Sequence, residues 1–587
     1  MSRKKESKRQ QSDDHTNSNI DSEISLNPPT VTEIGTTIVS DKFPITMDDF
    51  WFATNLTVII NPFDFVTVEN LHGTKTIGII KDLQTVAFHN DTITDSNSTR
   101  TQHGSHSLAV QDLQTRPSRS TSHSALTVAR VAIIANTGVR VEGTTNTVPI
   151  SMPIGVGKTV KFSTAEEITF ALGIPEMDNA IPAGLIQTTN GLQIPVSLDI
   201  SYLAGPDTIH VNASGISGNR KTTYLLFLLQ SAYQKLKDEN VALIIFNTKE
   251  AELLEIHREQ KKETDRTARL FSVLDLQIEP FHNVTYFLPR GKNGKPNAAH
   301  IPESYKTYSY ELKDIYDRLD LVLPDTYDPQ FSISSIVDYI YESWPIKTKS
   351  GKRISSWTNL FEYAEYPENI VSHKSSLLHF RSSLQRIRKS PLFVDDKETS
   401  VYLGNEIMKI KSGDVFVVDV GAISSLDEQS FIVGDVMKSI DEMYSSRDDL
   451  AVRGYHKENK KGNPKYILIF VDEINRFIPK IQNQGRMTAV SEQIMKTIVA
   501  GTARGTVLFS AQQFKSATDQ HLHENIGLHI IAKLGMSELS TKPYYMLDES
   551  TKKNIVRLNK GELVMVHPAF RHPIKISFPQ GAFMRLK

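Results

Sequence analysis

The chain has no cysteine among its 587 residues. That excludes structural disulfides, cysteine nucleophiles, thiolate zinc sites and iron–sulfur clusters, and it removes any sign of a secreted disulfide scaffold. It also lacks an excess of either charge: 66 Lys+Arg stand against 67 Asp+Glu, a formal net charge of -1. A polybasic nucleic-acid coat is thereby ruled out, and any nucleic-acid site must be local. Nowhere do 18 apolar residues run without a charge, so no spanning helix is expected. Met1 to Asn19 carries Arg3, Lys4, Lys5, Lys8 and Arg9 with no apolar stretch, so no signal-peptide core is expected there. A solvated tail over 1–37, basic at its start, is the expectation, with nucleic-acid or acidic-partner binding as the alternative. The expected location is the cytoplasm.

What is present points to at least two structural units, since the length exceeds what one hydrophobic core usually spans. From Ile38 the chain alternates short β-rich runs with turns: Leu56–Ile60, Phe65–Val68, Thr76–Ile80, and later Ala125–Ile134. This spacing predicts a small β-barrel over 38–184, with its last strand near Leu172. A polar stretch at 90–124 interrupts it and reads as a mobile loop. Its His103, His106 and His123 lack a ligand spacing on any element, so loop histidines are favoured over a metal site.

Beyond Gly184, continuous apolar runs at Thr208–Val211, Val241–Phe246, Val415–Val420, Tyr466–Val471, Val507–Ser510 and Ile530–Leu534 have the character of strands buried on both faces. Helical patterns at Thr223–Leu236 and Ser491–Ala500 lie between them. The reading is an α/β core at 185–587, a parallel sheet with helices on both sides. Charged, helix-friendly sequence such as Lys262–Ser272 and Ser372–Arg388 predicts a helical insertion at about 251–390. A closing segment is expected at about 555–587.

Three motifs carry chemistry. Gly215-Ile216-Ser217-Gly218-Asn219-Arg220-Lys221-Thr222-Thr223 follows a strand and opens a helix. Those are the parts of a P-loop, in which backbone N–H groups and a helix N-terminus hold phosphate. Lys221 keeps the required spacing from Gly215, but Arg220 stands where a Gly is expected. A fortuitous turn before a helix is the alternative. The strand Tyr466–Val471 ends in Asp472-Glu473, suited to holding Mg2+ with Thr222 and to taking a proton from attacking water; the alternative is a solvated acidic turn. The third motif runs from Thr502 to Gln513. Gln512 at its strand end can sense a γ-phosphate, and Arg504 can reach a neighbouring subunit's nucleotide; a capping Gln and a surface Arg are the bland alternatives.

On Asp207–Gly218, Phe470–Pro479, Phe509–Ser516, Leu558–Pro568 and Ile576–Pro579, and on their order and spacing, the chain resembles the HerA/FtsK group of hexameric P-loop translocases, and within it the bacterial HerA-like ATPases. The resemblance spans about 38 to 587, and the barrel looks like that family's HAS domain. It implies a RecA-like core, ATP and Mg2+ as ligands, a homohexamer acting on duplex DNA, and a separate nuclease or sirtuin-like effector of the anti-phage kind. Asn247 departs from the pattern, standing where many members carry an acidic residue. Two other readings stay open: a nucleotide-binding ring scaffold that assembles an effector with little turnover, and, less favoured, a P-loop metabolic kinase.

Overall fold

The computed structural model describes residues 33–88, 124–140, 147–149, 151–177, 180–204, 209–236, 240–260, 265–323, 332–347, 351–365, 374–452, 464–481 and 487–586. Its N-terminal strands are β1 (Glu33–Ile38), β2 (Asp49–Thr54), β3 (Phe65–Glu69), β4 (Lys75–Phe88), β5 (Ser124–Asn136), a small hairpin β6 (Gly138–Arg140) and β7 (Thr147–Pro149), and β8 (Thr159–Phe162). Six of these close an antiparallel barrel in the order β1-β2-β5-β4-β3-β8. Alternate residues point inward, so Phe50, Phe52, Val66, Val68, Val131, Ile133 and Val160 share one buried cluster. Gly78 is required by close packing, because a Cβ there would sit 2.4 Å from Val131 Cγ1.

The predicted barrel is present with different ends. It begins at Glu33 and closes at Phe162, not near Leu172. Thr164 caps the helix Ala165–Ala171 in a reciprocal box with Glu167, and this local signal turns the chain from strand to helix. Leu56–Ile60 is no strand: Val58 N–H donates to Asn55 O at 3.1 Å in a turn, and Leu56 and Ile59 are exposed. The expected boundary at 184 cuts through β9 (Ala180–Gln187), which pairs antiparallel with β10 (Gln193–Asp199) and touches the C-terminal segment through Leu185 and Ser577. His103, His106, His123 and the basic start lie outside the described residues, as does all of 90–123.

The second unit is one ten-stranded sheet. Its strands are β11 (His210–Ser214), β12 (Val241–Asn247), β13 (Val284–Pro289), β14 (Tyr305–Tyr308), β17 (Val415–Asp419), β18 (Tyr466–Val471), β19 (Thr506–Gln512), β20 (Ile526–Ile531), β21 (Leu563–Val566) and β22 (Ile574–Ile576); β15 (Ile346–Lys347) and β16 (Arg353–Ile354) form a separate hairpin. The order is β14-β13-β17-β12-β18-β19-β11-β20-β21-β22. The pairs from β14 to β20 are parallel, and β21 and β22 add antiparallel edge strands.

The continuous apolar runs follow from burial on both faces. Val241, Leu243 and Ile245 join one core, whereas Ala242, Ile244 and Phe246 join the other. The first core takes in the helix Lys221–Lys235; the second takes in residues of the long helix Leu426–Val452 and of the helix Ala489–Arg504. The stretch 251–390 is not purely helical, since β13 and β14 extend the central sheet from within it. Thr285, Tyr305 and Lys306 are too exposed for those strands to read as continuous apolar runs. Its expected helices are found at Asp265–Val273 and Lys374–Lys389. Barrel and core are joined at Lys81, a buried lysine whose Nζ lies 3.1 Å from Asp548 Oδ2 and donates to Thr551 Oγ1 at 3.0 Å.

Candidate functional site: a phosphate cradle at the sheet edge

All the site elements lie at the C-terminal edge of the parallel strands, where α/β folds place ligands. The loop after β11 is stitched to both neighbouring strands: Gly215 N–H donates to Gln513 O and Ile216 N–H to Lys533 O, each at 3.1 Å. Gly215 has φ +148° and a Cβ there would fall 2.7 Å from Ala532 Cβ, so only glycine fits this turn. Gly218, at φ +83°, has open space where a Cβ would project. The helix Lys221–Lys235 then starts with no side-chain cap, leaving the N–H groups of its first turn without intrahelical acceptors.

Arg220 takes the left-handed conformation, φ 60° and ψ 24°, which is the backbone a glycine would supply at that position. Its guanidinium reaches towards Gly561, with Nη1 3.6 Å from where a Cβ there would be. Lys221 folds its ammonium back onto the loop, donating to Ile216 O at 3.1 Å. Burial lowers its pKa, and the Asp472 charge partly offsets this. Asn219 is buried and donates to Ile216 O at 3.2 Å. It and Gly215 shape the loop, whereas Ser217, Gly218, Arg220, Lys221, Thr222 and Thr223 line the cleft.

The carboxylate pair closes the opposite wall. Thr222 Oγ1 donates to Asp472 Oδ2 at 2.9 Å, across 250 residues of sequence. Asp472 Oδ1 accepts from the Glu473 N–H at 2.9 Å, and Glu473 itself is held at φ 54°. A left-handed backbone at an acidic residue in a cleft is the pattern of a positioned functional group. Strand β19 runs between β11 and β18, which brings Gln512 between the loop and the carboxylates. Its Oε1 accepts from Thr518 Oγ1 at 2.6 Å, while its Nε2 is buried with no partner.

Arg504 is not gathered here. It precedes β19, whose seven residues span about 20 Å, so it sits at the far edge of the sheet, with Nη1 3.8 Å from Asp441 Oδ1. In its place the structure supplies cations that motif reading did not reveal: Lys249, Lys560 and Arg585 line the cleft along with Gln513 and Glu252. Arg585 donates to Thr223 Oγ1 at 2.7 Å and pairs with Glu252. Lys249 could have been suspected, because it follows an apolar strand in the same sheet as the strand before Gly215. Nothing local marks Arg585, which comes from the other end of the unit. The cleft holds about 340 Å³, within the range of small-molecule sites.

The fit of a nucleotide and its cation rests on four features: an uncapped helix start, an open glycine turn, an orphaned amide at Gln512, and Thr222 and Asp472 already adjacent. Five cationic side chains face three carboxylates, which suits a polyphosphate.

No protein-family model matches the chain, and no curated protein does. Among solved structures it is similar to the bacterial conjugative coupling protein TrwBdeltaN70, with 12% identity and a TM-score of 0.40 over 69% of this chain and 91% of that one. TrwB in complex with ADP and Mg2+ gives 12% and 0.41 over 67% and 89%. The genome packaging NTPase B204 from Sulfolobus turreted icosahedral virus 2 with ATP-gammaS gives 9% and 0.20 over 30% and 72%. Scores of this size carry nothing from those proteins to this one. The class follows from this chain's own strands: a mostly parallel α/β sheet core preceded by a closed six-stranded β-barrel.

Proposed function

We propose that this protein is an ATP-driven motor of the HerA/FtsK kind, a homohexameric ring that hydrolyses ATP and translocates duplex DNA. The observation that carries the reading is the Thr222–Asp472 hydrogen bond at 2.9 Å, with Gln512 on the strand between them. A cradle for phosphate, a hydroxyl and carboxylate for a cation, and a second carboxylate beside them are the parts needed to turn over a nucleotide.

In this mechanism the loop N–H groups and the helix start hold phosphate oxygens, and Lys221 leaves the Ile216 carbonyl to neutralise the terminal phosphates. Thr222 and Asp472 would hold Mg2+, which supplies charge neutralisation on the phosphates when bound. Glu473 takes the proton of the attacking water, and Gln512 offers its free Nε2–H to the phosphate or to that water. Arg504, at the far sheet edge, is proposed to serve a neighbouring subunit. Supporting DNA action are the resemblance in sequence motifs and the barrel that precedes the core; no helix among the described residues is long and apolar enough to cross a membrane. A cytoplasmic location and a separate nuclease or sirtuin-like effector in anti-phage defence or DNA end processing complete the proposal.

A ring scaffold with little turnover is the second reading, and one contact favours it: Lys249 Nζ lies 2.7 Å from Asp472 Oδ2, which ties up a carboxylate that hydrolysis needs. Steady-state ATP hydrolysis with and without duplex DNA separates the two. DNA-stimulated turnover supports the motor, and binding of nucleotide without turnover supports the scaffold.

A further inference from the structure

Lys249 belongs to no motif, yet its loop is held from several sides. Asn247, the last residue of β12, donates Nδ2 to Glu250 O at 2.6 Å and to Asp419 Oδ1 at 2.9 Å, and its Oδ1 accepts from Leu253 N–H at 3.2 Å. The Asn247 carbonyl accepts from Val420 and Gly421 N–H at 3.0 and 2.9 Å. The loop backbone lies directly on Gly421, where a Cβ would come 2.8 Å from Glu250 N and 3.1 Å from Lys249 N. Asn247 thus does a different job from an acid at this position: it builds the turn that presents Lys249.

The presented ammonium sits 2.7 Å from Asp472 Oδ2 and 3.7 Å from Glu473 Oε1. The same Asp472 oxygen accepts the Thr222 hydroxyl. A lysine ammonium is a cation at neutral pH, and this one rests on a carboxylate that is almost wholly buried.

We propose that Lys249 is a resident cation of the nucleotide site, which occupies the divalent-ion position on Asp472 and has to leave it before metal can load. This rests on the reading of Asp472 as a cation ligand. An ammonium and a divalent ion repel, and one carboxylate oxygen cannot serve both at contact distance. The four-carbon lysine stem lets the ammonium swing away when a phosphate offers it another anion. Metal loading is thereby made dependent on nucleotide, and the unliganded protein keeps its buried Asp472 carboxylate paired.

The test uses Mn2+ as the probe, read by electron paramagnetic resonance on the full chain without nucleotide. Lys249→Met keeps the stem and removes the charge. It should bind Mn2+ at least tenfold tighter than wild type, Lys249→Arg should match wild type, and adding Asp472→Asn to the Met variant should erase the gain. Equal Mn2+ affinity in wild type and Lys249→Met overturns the proposal. Should the Met variant lose its circular dichroism signal, Lys249→Gln gives the same comparison. A titration of wild type with a non-hydrolysable ATP analogue separates the two claims. Analogue binding without the Mn2+ gain defeats the Lys249 proposal alone, and an Mn2+ gain without analogue binding defeats the motor reading alone.

Discussion

Asp419 ends β17 wholly buried, and its Oδ1 accepts from Asn247 Nδ2 at 2.9 Å and from Gly421 N–H at 3.1 Å. Its Oδ2 is buried with no partner. Burial is the main cause that pushes its pKa from 3.8 up to about 7, and the hydrogen bonds hold it from rising further. Asp419→Asn keeps the shape and the Oδ1 acceptor but removes the titration. The folded pKa lies above the unfolded one, so the folded state binds more protons between these values. The stability this group contributes is complete below pH 4 and is lost as pH climbs through 7. About three pH units at 1.36 kcal/mol each give a total of about 4 kcal/mol, of which about 3 kcal/mol falls between pH 5 and 8. Denaturant unfolding of wild type and variant across that range reads the difference directly, since other groups titrate alike in both. Wild type should lose about 3 kcal/mol relative to the variant as pH rises. A difference that stays flat to within about 1 kcal/mol would refute the reasoning, because the carboxyl would then be solvated or paired in a way these contacts do not provide.

Lys221→Ala should lower ATP turnover by about 100-fold or more, since it removes the ammonium that the loop itself presents to the terminal phosphates; near-normal steady-state rates would remove the P-loop assignment. Glu473→Gln should keep nucleotide affinity and stop hydrolysis, and equal loss of both, from a titration run beside the rate assay, would make the carboxylate structural. Arg220→Gly should change nucleotide affinity only a few-fold, because the backbone already has a glycine's conformation and the guanidinium points to Gly561; calorimetric titration showing a gain above about 30-fold, roughly 2 kcal/mol, would mean the side chain crowds the phosphates. Mass photometry should find a particle of six chains, and rings mixed from Lys221→Ala and Arg504→Ala subunits should recover part of the activity. A monomer hydrolysing at full rate contradicts both the ring and the trans role of Arg504.

The sequence by itself determined the linear signals. Strands β12, β17 and β18 are legible as apolar runs because both faces are covered, and the loop 215–223 is legible because its glycines, lysine and threonine lie within eight residues. Asp472 and Glu473 are legible for the same reason, each being fixed by the strand it terminates. The tertiary structure decided whatever depends on strand order and on residues far apart in the chain. That β19 lies between β11 and β18, and so sets Gln512 beside the cradle, is a matter of sheet topology that no local pattern encodes. That Arg504 falls at the other edge follows from a helix ending before a parallel strand begins. Lys249 and Arg585 enter the site only through packing: the first through a turn held by Asn247 and Gly421, the second through a C-terminal segment 362 residues from its partner Thr223. The barrel's C-terminal end was set by Thr164 and Glu167, a capping signal present in the sequence. Propensity and periodicity act within a few residues, whereas a binding site is assembled by contacts that only the folded chain brings together.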